Sequence, residues 1–93
     1  MAKFELGRLV MTESVAARMI VDTNFDAFVK TSLSRYVQGD WGTLCEDDKD
    51  MSDKSVEEGD HMIMGTYAMN GTEIWIITEW DRSATTILFP HER

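Results

Sequence analysis

The chain holds one cysteine, one proline and two histidines in 93 residues. A single thiol, Cys45, excludes an intrachain disulfide and fits a reducing compartment. Cys45, His61 and His91 stand at wide, unrelated spacings that match no zinc-binding pattern. For Cys45 a buried, inert thiol is the favoured reading over a nucleophile paired with a histidine. No phosphate-binding loop, GxSxG elbow or dinucleotide fingerprint occurs. Long apolar runs are also missing. The longest uncharged one, Ile74 to Thr78, is far too short to cross a bilayer, and Met1 to Gly7 has no apolar signal core. A cytoplasmic protein with no membrane segment is the expectation. Bases are scarce: nine Lys and Arg stand against 17 Asp and Glu, a net charge of −8. Neutralising phosphates takes a basic surface, so direct nucleic-acid binding is not expected.

What is present is an ordinary globular composition, 43% hydrophobic and 28% charged. It argues against a disordered chain and, at this length, for one domain over residues 1–93 with a modest core. The acidity is local. Asp40, Glu46, Asp47, Asp48, Asp50, Asp53, Glu57, Glu58 and Asp60 are opposed only by Lys49 and Lys54, so residues 40–60 carry −7 and the rest of the chain −1.

Phe4 to Met11 reads as a first strand, weakened or bulged at Gly7. Thr12 to Val21 reads as a short helix with Val15, Met19 and Ile20 near one face. A second helix opens at Thr23-x-x-Asp26, a capping-box spacing. It continues with Phe25, Val29, Leu33 and Tyr36 on one stripe, widened by Phe28 and Val37, and closes at Gly39. Asp40-Trp41-Gly42 reads as a turn. Thr43-x-x-Glu46 predicts a short acidic helix to about Asp50, and Ser52 or Asp53 a further turn ending at Gly59. Leu44, Met51 and Val56 are the expected apolar anchors of this segment.

From His61 the hydrophobic period becomes two. Asn70-Gly71 predicts a type I′ hairpin, because that turn needs positive φ at both positions. The two-residue loop pairs Met69 with Thr72, Tyr67 with Ile74, Thr66 with Trp75, Gly65 with Ile76 and Met64 with Ile77. One face then carries Ile63, Tyr67, Ile74, Ile76 and Trp80, and the other Met64, Thr66, Trp75 and Ile77. A strand apolar on both sides is an inner strand. Strand 72–80 is therefore expected between 61–69 and 84–89, with Pro90 ending the last. The fold class is α+β: a small antiparallel meander of three to four strands with two to four short helices on one face.

The acidic segment fails as a calcium loop. Counting from Asp48, the turn-glycine position holds Asp53 and the bidentate-ligand position holds Gly59. It reads either as a solvated face or as a surface that imitates phosphates and pairs with a basic groove of a protein partner. The candidate partner-binding residues are Asp47, Asp48, Asp50, Asp53, Glu57, Glu58 and Trp41. Trp41 is weighed as an exposed anchor against a Trp that closes the core beneath the segment, which is the favoured reading. The corner Glu79-Trp80-Asp81-Arg82-Ser83 reads as structural: an Asx-type turn at Asp81, Arg82 bridging Asp81 or Glu79, and Ser83 capping loose amides. Its catalytic alternative pairs Glu79 or Asp81 with His61 or His91. No catalytic residue, metal ligand or cofactor is assigned.

Three blocks taken together resemble a known family. They are Tyr36-Val-Gln-Gly-Asp-Trp-Gly42 with Glu46-Asp-Asp-Lys49, then Ile74-Trp-Ile-Ile-Thr-Glu79, then Asp81-Arg-Ser-Ala-Thr-Thr-Ile-Leu-Phe-Pro90. The family consists of small uncharacterised bacterial proteins from phage, plasmid and integrative-element neighbourhoods, some labelled "plasmid-related protein". The resemblance runs over nearly the whole chain. In that family an Arg-His pair precedes GDWG, where this chain has Arg35-Tyr36-Val37-Gln38 before Gly39. Leu precedes the proline there, and Phe89 does here. The resemblance implies a mobile-element setting and no particular activity. The expectation is a non-enzymatic protein–protein interaction module, an acidic inhibitor of a host defence nuclease such as a CRISPR or restriction system. A small homodimer pairing through strand 84–89 or the hairpin's second apolar face is the first alternative. An enzyme using Glu79, Asp81 and a histidine is the second.

Overall fold

The computed structural model describes residues 2–93. The elements run β1 (Arg8–Met11), α1 (Glu13–Val21), α2 (Thr23–Val37), α3 (Glu46–Glu58), β2 (Ile63–Met69), β3 (Thr72–Thr78) and β4 (Ala84–Leu88), with a 3-10 turn at Pro90–Glu92. The class is α+β, and the four strands form one open sheet in the order β1-β4-β3-β2. Three consecutive strands, β2 to β4, make the antiparallel meander. β1 adds to it in parallel, with Leu9 opposite Thr85 and Met11 opposite Ile87.

The hairpin forms in the register that the turn chemistry dictates. Asn70 and Gly71 have φ of 49° and 81°, and Tyr67 lies opposite Ile74 and Thr66 opposite Trp75. β3 is the inner strand it was expected to be, ending at Thr78 rather than Trp80. Trp80 lies beyond the ladder and is 62% exposed, so it takes no place on the Tyr67 face. The segment 84–89 is not an edge. β4 lies between β3 and β1, because the first strand returns to pair with it over a long connection. The alternative of a dimer through that strand therefore has no free backbone to use. β1 is also shorter than expected. Gly7 adopts φ of 63° and ends the ladder, while Phe4 and Leu6 turn onto the core.

The core is where helix stripes meet one sheet face. Val15 of α1 and Phe25, Phe28, Val29 and Tyr36 of α2 pack on Ile63, Tyr67, Ile74, Ile76 and Ile87. Ile20 does not join them. It is 84% exposed on the outer side of α1. Asp22 is the joint between α1 and α2. Its backbone N–H donates to Arg18 O at 2.9 Å, and its carboxylate accepts from Phe25 N at 3.1 Å. Asp22 is thus the N-cap of α2, and Thr23, the expected cap, is its first residue. α2 ends as a Schellman motif: Gly39 N donates to Tyr36 O at 3.0 Å and Asp40 N to Arg35 O at 3.0 Å.

The polar groups of this core are matched. Thr85 Oγ1 donates to Leu6 O at 2.7 Å, so its hydroxyl accepts from Thr78, also at 2.7 Å. Thr78, having spent its proton, accepts at 2.7 Å from the Tyr36 hydroxyl, whose proton is shared with Ile63 O at 3.1 Å. One direction of donation runs through the chain, and no buried side-chain polar atom is left unpaired among the described residues. Burial in these surroundings pushes the Tyr36 and Tyr67 hydroxyls well above the ordinary phenol value.

Candidate protein-interaction surface

The acidic segment is one helix, not two. Ser52 and Asp53 sit inside it and cap nothing. Thr43 does not cap it either: its hydroxyl pairs with Thr66 Oγ1 at 2.7 Å, and Cys45 occupies the N-cap with no side-chain bond. Glu46, Asp47 and Asp48 in the first turn complement the positive end of the helix dipole. Gly59 closes the other end at φ of 77°. Cys45 is exposed rather than buried.

α3 is fastened along the outer edge of β2 by the Ser52 hydroxyl as well as by apolar anchors. Ser52 Oγ donates to Met64 O at 2.8 Å and accepts from Met64 N at 3.2 Å. The turn before the helix does the same one step along. Thr66 N donates to Trp41 O at 3.1 Å, and Thr43 N donates to Thr66 O at 2.8 Å. Together they satisfy the edge backbone of β2 at two successive outward-facing residues. Gly42 lies so close to Thr66 O and the Tyr67 ring that any Cβ would overlap them, and its φ of 72° suits only glycine. Leu44 and Val56 are half-buried against the core as expected, whereas Met51 is 65% exposed.

Trp41 is the corrected member of the partner-binding set. It is 3% exposed, packed edge-on against Tyr36 with ring centroids 5.4 Å apart. Its indole N–H donates to Asp53 Oδ1 at 2.8 Å. It closes the core beneath α3 and offers no surface to a partner. The turn is braced further by Arg35, whose guanidinium donates to Asp40 at 2.8 Å. That hydrogen bond holds the Asp40 carboxyl below its ordinary value.

The other acids of the set stand outward. Asp47, Asp48, Asp50, Asp53, Glu57 and Glu58 are all exposed. Among the described residues none of them forms an ion pair, while Asp22, Asp26 and Asp40 elsewhere each hold an Arg or Lys. Glu46, Asp50, Asp53 and Glu57 fall at helical spacing along one side of α3, with Lys49 reaching Glu46 at 4.0 Å, while Met51 and Lys54 stand between Asp47 and Glu58 on another side. Like charges three and four residues apart cost an isolated helix about 0.2–0.5 kcal/mol per pair. The last turn has no base to balance Glu57 and Glu58.

Arg82 supplies that balance from outside the helix. At φ of 61° it projects from the β3–β4 corner and donates to Ser55 O and His61 O, both at 2.6 Å. It therefore binds backbone carbonyls, not the carboxylates of Glu79 or Asp81 as expected. Guanidinium placed on the last carbonyls opposes the negative end of the helix dipole. The sequence offered one signal for this role: a base in a tight corner after a long acidic run that lacks a C-terminal cation. Asp81 does form the expected Asx-type turn, accepting from Ser83 N at 3.0 Å, and these bonds lower its carboxyl. Glu79 and Ser83 are exposed. His61 is brought beside the corner through the Arg82 bond, whereas His91 stacks on Phe89 beyond the far end of β4.

Glu58, Asp60 and His61 bring one ligand atom each within 4.8 Å of one another, all exposed. They could hold a divalent cation only loosely. Among the described residues no helix is long and apolar enough to cross a membrane. Comparison with family models, with curated proteins and with solved structures finds no match in any of the three.

Proposed function

We propose that the protein is a non-enzymatic interaction module that binds the basic surface of a protein partner through α3. The observation that carries this reading is the row of exposed carboxylates Asp47, Asp48, Asp50, Glu57 and Glu58, none in an ion pair among the described residues, on a helix held to the sheet by the Ser52 hydroxyl. Ser52 and Ser55 are its buried residues, and of its acids only Asp53 is drawn into the anchoring, by the Trp41 indole. The repulsion along α3 falls when an external cationic surface meets it. A surface that imitates nucleic-acid phosphates suits a nuclease of a host defence system, and the resemblance to mobile-element proteins supports that setting. The test is inhibition of, and binding to, CRISPR and restriction nucleases at low and high salt. Reversing Asp47, Asp48, Asp50, Glu57 and Glu58 to Lys should abolish inhibition, and added salt should weaken binding. Intact inhibition by the reversed protein sinks the idea.

A second reading is favoured by a separate observation. β1 is an edge strand with Leu9 and Val10 exposed, and an uncovered apolar edge invites pairing with another chain. It lies across the sheet from α3, so two copies joined there keep their acidic helices apart. Sedimentation at two concentrations separates a dimer from a monomer. A dimer that survives Leu9→Lys is not formed through this edge.

A further inference from the structure

The underside of α3 does more than face solvent. A groove of about 690 Å³ runs between α3 and the start of β2. Its apolar lining is Leu44, Met51, Met62 and Met64, and it also carries Asp48 and Glu58 together with Lys54 and His61. Two of the lining methionines are among the most exposed large apolar side chains of the protein, Met51 at 65% and Met62 at 40%. Unbranched thioether side chains adapt to varied apolar shapes and recur on surfaces that accept more than one partner.

From this geometry we infer that the groove is the docking site for a basic amphipathic helix of the protein partner. The inference rests on the proposed acidic interaction function and specifies which element of the partner is bound. Two observations select a helix with cations beside its apolar stripe. The first is charge: the methionines are bordered on the α3 side by Asp48 and Glu58 of the −7 segment, so an apolar stripe flanked by Lys or Arg meets complementary potential there. The second is the state of the neighbouring strand. An extended segment binds by adding backbone hydrogen bonds to a sheet edge. The edge of β2 is already satisfied at Met64 by Ser52 and at Thr66 by Trp41 and Thr43. Only side chains are left to be read, and a helix in a groove reads side chains.

The test uses the full chain and two synthetic peptides of identical Lys and Leu composition. One is ordered as an amphipathic helix and the other is scrambled. Methyl NMR of the methionines reports the site. The amphipathic peptide should bind at least about tenfold more tightly than the scrambled one. The methyls of Met51, Met62 and Met64 should shift, while those of Met11 and Met19 stay. Met51→Ser and Met62→Ser lie at exposed positions, and combining them should reduce the amphipathic peptide to the affinity of the scrambled one. Equal binding of both peptides with unmoved groove methyls overturns the groove and leaves the acidic surface standing. Failure of both peptides to bind at low salt removes the acidic reading as well. A concentration-dependent dimer that Met51→Ser disperses shows instead that a second copy fills the groove.

Discussion

Single side chains in this protein act through what they leave unexposed. Trp41 shares the GDWG turn with Asp40. Its indole is buried against Tyr36, and its N–H is spent on Asp53. Asp40 then organises the backbone around it, accepting from Gly42 N at 3.1 Å and from Arg35. The Arg35 bond depresses the Asp40 carboxyl, which fixes the sign of a pH effect. Where the folded-state value is lowered, the unfolded chain binds more protons through the titration range. The stabilisation is therefore complete above the ordinary carboxylate value of about 4 and is lost as pH falls through the lower, folded one. Urea unfolding midpoints of wild type and Asp40→Asn should differ at pH 7 and converge toward pH 3. A difference independent of pH would assign the effect to something other than this ionisation.

At the scale of elements, α3 depends on residues outside itself. Arg82 caps its carbonyl end and ties the start of β2 to the same corner. Hydrogen bonds from a charged donor are worth about 1.5–3 kcal/mol each. Arg82→Ala should cost about 2 kcal/mol in global stability. It should also speed amide exchange across Ser55 to Gly59 more than within the β2–β3 hairpin. Uniform acceleration would mean that Arg82 stabilises the fold generally rather than the helix end. The hairpin itself was legible without any such partner, because Asn70-Gly71 settles register within four residues. The α2 stripe was equally legible, its start shifted by a residue because Asp22 and Thr23 both suit an N-cap. α3 was read as two pieces for a physical reason. Ser52 favours helix starts in isolation, and its true partner, the Met64 backbone, lies 12 residues away. Thr43 misled in the same manner, its hydroxyl being claimed by Thr66, 23 residues on.

The whole molecule is polarised. Arg18, Lys30 and Arg35 pair with acids on α1, α2 and the turn that follows, whereas on α3 only Lys49 meets an acid, Glu46, and residues 40–60 carry almost all of the net −8. Self-repulsion of that segment opposes folding of the free protein and attracts a cationic partner, so salt should act oppositely on the two. Going from about 0.1 M to about 1 M NaCl shortens the screening length from about 10 Å to about 3 Å. The melting temperature of the free protein should rise by about 4 °C, the shift that ~1 kcal/mol gives in a domain this small. A variant with Asp47, Asp48, Asp50, Glu57 and Glu58 changed to their amides should lose most of that rise. An unchanged rise would place the repulsion elsewhere.

The sequence by itself determined the α+β class, the hairpin register, the inner position of β3 and the concentration of charge between Asp40 and Asp60. Each follows from chemistry within a few neighbours: turn geometry, alternation, helical spacing and charge count. Only the tertiary structure decided that β1 seals the far side of β4, that Trp41 faces inward, and that Ser52 and Arg82 hold the acidic helix. Those roles are set by partners many residues away, which meet only once the sheet has formed and its edge backbone must be satisfied. That same edge leaves the carboxylates of α3 outward and a methionine-lined groove beneath them.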